Sequence, residues 1–448
     1  LKIKLTHGLV AITALSVVIS ACAAPTPTAA PKPTEAPKPV APTAAPVQPT
    51  AVPVQPTAAP KPTDAPKPTE APKPAAEKPM TVGMILVGPY NDKGWNQAHH
   101  EAITEFVQKK MPNVKFEFVD KVNPADRPNV KGTQVAQDLV GKGANFIIFN
   151  SDDFKDDALE FAKKNPNVTV LHASGDYSWK EGKNFKNQPN LVNAMPEMEY
   201  GHMMNGCVAA LQTQTGKIGI LGPLINEETR RYSSAAYLGA KYCWVTYRGK
   251  KAEDLKFKVD WIGFWFNIPG VTQDPTKVTD AMIASGYDVI LSQIDTPEAA
   301  QQTKKAVGAG KKAWYVHYGH QAGCDVEPTL CLGVAYYNWG PEYLNQIKLT
   351  SEGKSQTAFV RMPPDWAGII NNREKSGFNY GIGKGLADDS KKNLETFIKG
   401  LGDGSINLLK GPIKYQDGSS FIDDGKTAKV VDMWYMSQLL AGIEGKSK

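Results

Sequence analysis

The first 79 of the chain's 448 residues contain no Phe, Tyr or Trp, so its 15 Phe, 16 Tyr and 9 Trp all fall in the remainder. A segment with no aromatic side chains and so little else to bury cannot assemble a core. Long apolar runs are also lacking. The run over residues 9–19 is too short to span a bilayer, and no later segment approaches the ~18 residues that a span needs. Excess charge is missing from the part that can fold. Residues 1–79 carry 8 Lys and 4 acidic residues, which leaves 43 Lys and Arg against 41 Asp and Glu beyond them. The pI near 8.8 is therefore no sign of a nucleic-acid partner. No GxSxG, P-loop, HExxH or Cys-x-x-Cys spacing occurs. His317 and His320 could share a loop as metal ligands, but no third ligand stands near them in sequence. Neither a metal nor a cofactor is expected, and an enzyme is disfavoured.

Proline is abundant where aromatics are missing, with 18 of the 34 prolines between residues 23 and 79, in phrases such as APKPTEAPKP and APVQPT. This composition reads as an extended tether, up to ~180 Å long at ~3.1 Å per residue in polyproline II. Ahead of it, Lys2 and Lys4 precede the short apolar run, which ends in Ile19-Ser20-Ala21-Cys22. That ending resembles a bacterial lipobox, and implies a signal peptide over residues 1–21 and a lipid on Cys22. The linker is then residues 22–79, and the protein is extracytoplasmic, anchored to the cell membrane without spanning it. Four further cysteines, Cys207, Cys243, Cys324 and Cys331, suit disulfides in that compartment. Of the three possible pairings, Cys324 with Cys331 closes a short loop containing Pro328, which leaves Cys207 with Cys243.

Residues 80–448 exceed the ~250–300 at which a single core stops growing, so two lobes are expected. Apolar strand-like runs at 82–87, 115–119, 145–149, 168–173 and 191–194 alternate with helical stretches at 96–109, 130–141 and 158–164. After a long helical stretch over 200–214 the pattern restarts, with strands at 217–221, 260–264, 288–291, 313–316 and 332–335. Apolar runs separated by helices read as buried parallel strands. The fold class is therefore α/β, with two doubly wound Rossmann-like lobes. Lobe 1 is about 80–195 plus a later return segment, and lobe 2 is about 196–337 plus a C-terminal segment. The glycine-rich stretches Gly381-Ile382-Gly383-Lys384-Gly385 and Gly402-Asp403-Gly404 read as turns.

In open parallel sheets the ligand lies beyond the carboxyl ends of the strands, so two facing lobes enclose a cleft. The segments just after strands then carry the candidates. Trp95 follows the first, among Asn91, Asp92, Lys93, Asn96 and Gln97; it suits either a helix-start core position or, as we favour, a ligand stack. Asn150-Ser151-Asp152-Asp153 and His172-Ala173-Ser174-Gly175 follow the third and fourth strands, with helix capping an equal alternative. In the second half come Trp265-Phe266-Asn267, Gln293-Ile294-Asp295-Thr296-Pro297 and His317-Tyr318-Gly319-His320. Flat aromatics with amide and carboxylate neighbours suit a planar heterocycle.

Several of these segments, in order, resemble the basic-membrane-protein family, the purine-nucleoside-receptor-like substrate-binding lipoproteins of ABC importers. Asp92-Lys93-Gly94-Trp95-Asn96-Gln97 is similar to that family's DKSFNQ segment. Trp265-Phe266, Gln293-x-Asp295-Thr296-Pro297 and Asn338-Trp339-Gly340-Pro341-x-Tyr343 resemble SWFDP, Q-x-DTP and NWGPYY, and Leu409-Lys410-Gly411-Pro412-Ile413 resembles FxGPI. The resemblance covers residues 80–448 and implies a type I periplasmic-binding-protein fold, a purine ligand, an ABC permease partner and no catalysis; a monomer is expected. It implies that Trp95 and Trp265 sandwich the ring while Asp295 and Gln293 accept from its N–H groups. Asn91 and Asn150 at the ligand edge, and Tyr318 and His317 as a far wall, rest on their place after strands alone. Nucleoside-binding members carry an acid after the first strand and a GVDSDQ-like segment, where this chain has Val87-Gly88-Pro89-Tyr90 and Val316-His317-Tyr318-Gly319-His320-Gln321. A free purine base is therefore favoured over a nucleoside. A ligand-sensing lipoprotein of a signalling system, or a binder of another polar solute such as a sugar, would share the same fold.

Overall fold

Five short segments lead the first half of the folded chain: β1 (Thr81–Ile85), β2 (Lys115–Val119), β3 (Phe146–Phe149), β4 (Thr169–Ala173) and β5 (Leu191–Pro196). In this computed structural model the described residues are 80–448; the expected signal peptide, lipid on Cys22 and linker lie outside them. β3 and β4 are buried along their whole length and β5 likewise. Such strands must be covered on both faces, which helices on either side of a parallel sheet achieve.

The second half repeats the plan with β6 (Lys217–Gly222), β7 (Lys256–Trp261), β8 (Val289–Ser292), β9 (Trp314–Gly319) and β10 (Cys331–Tyr337). Then the chain crosses back. β11 (Ala358–Met362) pairs in parallel with β5 at the edge of the first sheet, and β12 (Phe378–Ile382) pairs antiparallel with β10 in the second. A small β13 (Ile413–Lys414) and β14 (Ser420–Ile422) hairpin follows, and β15 (Ile443–Glu444) closes the second sheet beside β7. The resulting orders are β11-β5-β4-β3-β1-β2 and β12-β10-β9-β8-β6-β7-β15. These are the two doubly wound α/β lobes expected from the alternation.

Three local readings are corrected. The strand expected at 260–264 is Lys256–Trp261, because the alternation Lys, Phe, Lys, Val, Asp, Trp fits a half-buried edge while Gly263 at φ 106° bends the chain out of the sheet. Gly381 and Ile382 belong to β12, and Gly402 and Asp403 to the helix Asp388–Asp403, which ends on the left-handed Gly404. The fourth strand of the second lobe runs to Gly319, so His317 and Tyr318 lie within it rather than after it.

A helix carries the chain from the first lobe to the second. Met198–Gln212 leaves β5 and packs along Glu227–Thr246, and a disulfide between Cys207 and Cys243 links them; Cys324 is bonded to Cys331. Near their start Glu199, only 3% exposed, lies 2.9 Å from Arg231 and 3.1 Å from Arg361 of β11. Both guanidiniums stack over Trp434 of the C-terminal segment, at 4.6 and 5.5 Å. No helix among the described residues is long and apolar enough to cross a membrane.

Candidate functional site

The strands' carboxyl ends face each other across a narrow cavity whose free volume is about 10 Å³. From the first lobe it is lined by Val87, Trp95, Ser151, Asp152 and Ser174, and from the second by Glu228, Trp265, Asp295 and Tyr318.

Trp95 opens its helix because Asp92 caps the turn before it. Asp92 Oδ1 accepts from the backbone N–H groups of Gly94 and Gln97, and Oδ2 from that of Asn96. Gly94 is required here, since a side-chain carbon would collide with the Asp295 carbonyl of the other lobe. The indole Nε1 donates to the Asn150 carbonyl at 2.6 Å, and Tyr337 and Trp339 pack edge-on against the ring. Trp95 thus serves the core and the cavity together. Trp265 sits in the loop after β7, where its Nε1 donates to Asp153 Oδ2 of the first lobe at 3.1 Å. Its carbonyl accepts the Asp295 N–H, which sets Asp295 beside it. Tyr318 donates its hydroxyl proton to Asp295 Oδ1 at 3.3 Å.

Of the residues expected in the site, Trp95, Trp265, Asp295 and Tyr318 meet at the cavity, and four others do not line it. Asn91 is exposed on the loop. Asn150 is fully buried as a spacer, with Oδ1 accepting from the Val87 N–H and Nδ2 donating to Asn96. Gln293 turns away to accept from the Ser233 hydroxyl. His317 precedes Tyr318 in β9, so it points to the opposite face, where its Nε2 meets the Lys93 carbonyl at 3.1 Å. Ser151, Asp152 and Ser174 come from the post-strand segments already singled out. Glu228 was missed; the post-strand rule, applied to the segment after β6, would have found it.

The lining is rich in carboxyl groups and contains no Lys or Arg. Burial pushes Glu228 up to about 7, Arg231 only partly offsetting it. Burial and the charge of Asp152 push Asp153 up to about 6. Burial, then Asp92, raises Asp295 well above the carboxylate range. Among the described residues no group of three or more His, Cys, Asp or Glu side chains could hold a metal ion.

Residues 80–348 match the family model described as ABC transporter substrate-binding protein PnrA-like. The chain is 27% identical over 378 residues to a purine-binding protein of Brucella abortus (strain 2308), covering 83% of this chain and 95% of that protein. It is 25% identical to basic membrane protein A1 of Borrelia garinii, over 47% of this chain and 55% of that one. Among solved structures, an ABC transporter solute-binding protein from Aeropyrum pernix K1 superposes with a TM-score of 0.57 at 13% identity, covering 75% of this chain and 93% of that one. One from Conexibacter woesei gives 0.52 at 14%, covering 73% and 97%. These likenesses carry the fold, that of type I periplasmic solute-binding proteins. With its family model matched over more than half its length, the chain belongs to the Bmp family of PnrA-like ABC transporter substrate-binding proteins, which capture solutes outside the cytoplasm and are not enzymes.

Proposed function

We propose that this protein captures a purine, a free base in preference to a nucleoside, between Trp95 and Trp265 and delivers it to an ABC permease. The observation that carries the reading is that the two indoles come from different lobes yet line one small cavity, with Asp295 and Tyr318 at its polar end. Stacking supplies affinity and the polar edge supplies identity. The name of the Brucella relative supports the ligand class, and the lack of an acid in Val87-Gly88-Pro89-Tyr90 after the first strand supports a base without its sugar. Because each lobe holds part of the site, ligand touches both only when they close, and its differential affinity shifts the balance toward closure. A lipid on Cys22 and the tether over residues 22–79 would hold a monomer at the outer face of the cytoplasmic membrane, beside its permease. Mass spectrometry of small molecules released on denaturing the purified protein tests the ligand class. A purine base is expected, and a sugar in its place would refute the reading.

A further inference from the structure

We propose that Asp295 reads the bound base as a neutral carboxylic acid, donating a hydrogen bond from one oxygen to a ligand acceptor while the other accepts from a ligand N–H. The inference rests on the purine reading above and reverses the acceptor-only role that the sequence suggests for Asp295.

Its basis is the company that Asp295 keeps. The side chain is 2% exposed. Asp152 and Glu228 line the same cavity, Asp153 is tied to Trp265, and Asp92 lies behind the loop. The cations nearest the cavity are engaged elsewhere, Lys155 with Asp176 at 2.9 Å and Arg231 with Glu199 at 2.9 Å. Asp295 and Asp92 are buried while Asp152 and Glu228 are half-buried, and carboxyls so grouped without a cation of their own resist full ionisation, the most enclosed member most, because its charge would be desolvated and would repel the others. Among them Asp295 is the most deeply enclosed of the cavity carboxyls with a like-charged neighbour behind it, so it keeps its proton, in accord with its raised pKa.

The hydrogen-bond pattern says where that proton goes. Tyr318 donates to Oδ1, which marks Oδ1 as the carbonyl-like oxygen. It retains a second lone pair for a ligand N–H, and Oδ2–H is left to donate. The Ser174 hydroxyl, 2% exposed and without a partner, faces the same space from the other lobe and offers a further polar contact. The combination fits a purine edge that sets one acceptor beside one N–H, such as the ring nitrogen and exocyclic amine of adenine or the carbonyl and ring N–H of hypoxanthine.

Asparagine reproduces the donor and acceptor of a neutral acid, whereas alanine reproduces neither. Calorimetric titration of wild type, Asp295→Asn and Asp295→Ala with adenine and hypoxanthine therefore separates the possibilities. Asp295→Asn should bind within about threefold of wild type, and Asp295→Ala should lose about ten- to a hundredfold, the cost of leaving buried ligand groups unpaired. Repeating the wild-type and Asp295→Asn titrations in buffers of different ionisation enthalpy should give the same proton count. Asn binding as weakly as Ala, or a wild type that releases about one more proton per ligand than Asp295→Asn, would overturn the neutral acid while leaving the purine reading standing. A wild type that binds neither base nor any other purine would overturn both.

Discussion

Replacing Glu199 by Gln should destabilise the protein by about 3 kcal/mol, because it strands two guanidiniums that share one buried carboxylate. Breaking a buried pair typically costs ~3–5 kcal/mol. The lower end applies, since Arg361 keeps Glu197 at 3.9 Å and both guanidiniums keep Trp434. With ~2.1 cal/mol/K of unfolding entropy per residue over the described chain, about 3 kcal/mol lowers Tm by about 4 °C. Burial alone would raise the Glu199 pKa, but Arg361 and Arg231 outweigh it and hold it below the usual value of 4.5. A depressed folded pKa gives stability that is present above the unfolded value and lost as pH falls through the folded one. The variant's deficit should therefore be full at neutral pH and shrink in acid. Thermal unfolding of wild type and Glu199→Gln across that range is the assay. Converting Glu199, Arg231 and Arg361 together to Gln, Met and Met should restore part of the loss, since the two buried guanidiniums leave with their carboxylate and only Glu197 loses a partner. A Tm change below one degree for the single variant, or a triple variant worse than the single, would refute the argument.

Trp95→Ala and Trp265→Ala should each weaken purine binding by about ten- to a hundredfold, base stacking being worth ~1–3 kcal/mol. Each should also reduce the ligand-driven fall in radius of gyration seen by X-ray scattering. Glu228, raised from 4.5 to about 7 mainly by burial, contributes stability that is full below 4.5 and lost as pH rises through 7. Glu228→Gln should therefore be more stable than wild type at pH 8 by up to about 3 kcal/mol, and no more stable at pH 4; equal unfolding profiles would refute this. Cys22→Ser should release the protein from the membrane fraction or leave it unprocessed, since lipid chains contribute ~0.8 kcal/mol per buried CH₂. Unchanged fractionation would contradict the anchor.

The central strands were legible because burial on both faces leaves an uninterrupted apolar signature, as in Phe146-Ile147-Ile148-Phe149. β11 and β12 were not, because their partners β5 and β10 are chosen by a chain reversal that no local pattern encodes. The helix Glu227–Thr246 also escaped notice. It is enclosed on nearly every side, so Arg231, Ser233 and Ser234 are buried with its apolar residues and no amphipathic stripe results. Of the four site residues carried by matched motifs, Trp95, Trp265 and Asp295 reach the cavity and Gln293 does not. Asn150, Gln293 and His317 were equally polar and equally close to strand ends, but buried backbone and helix groups claim their hydrogen bonds. A post-strand position marks a residue as near the cleft, while its hydrogen-bond partners decide which way it turns.

The most direct test is a calorimetric titration of the purified protein with adenine, guanine, hypoxanthine, their nucleosides and a panel of sugars under one set of conditions. The account predicts saturable one-to-one binding of at least one purine base, tighter than that of its nucleoside, and no heat from the sugars. Sugar binding without any purine heat would contradict the ligand class, and a nucleoside bound more tightly than its base would contradict the preference for the free base.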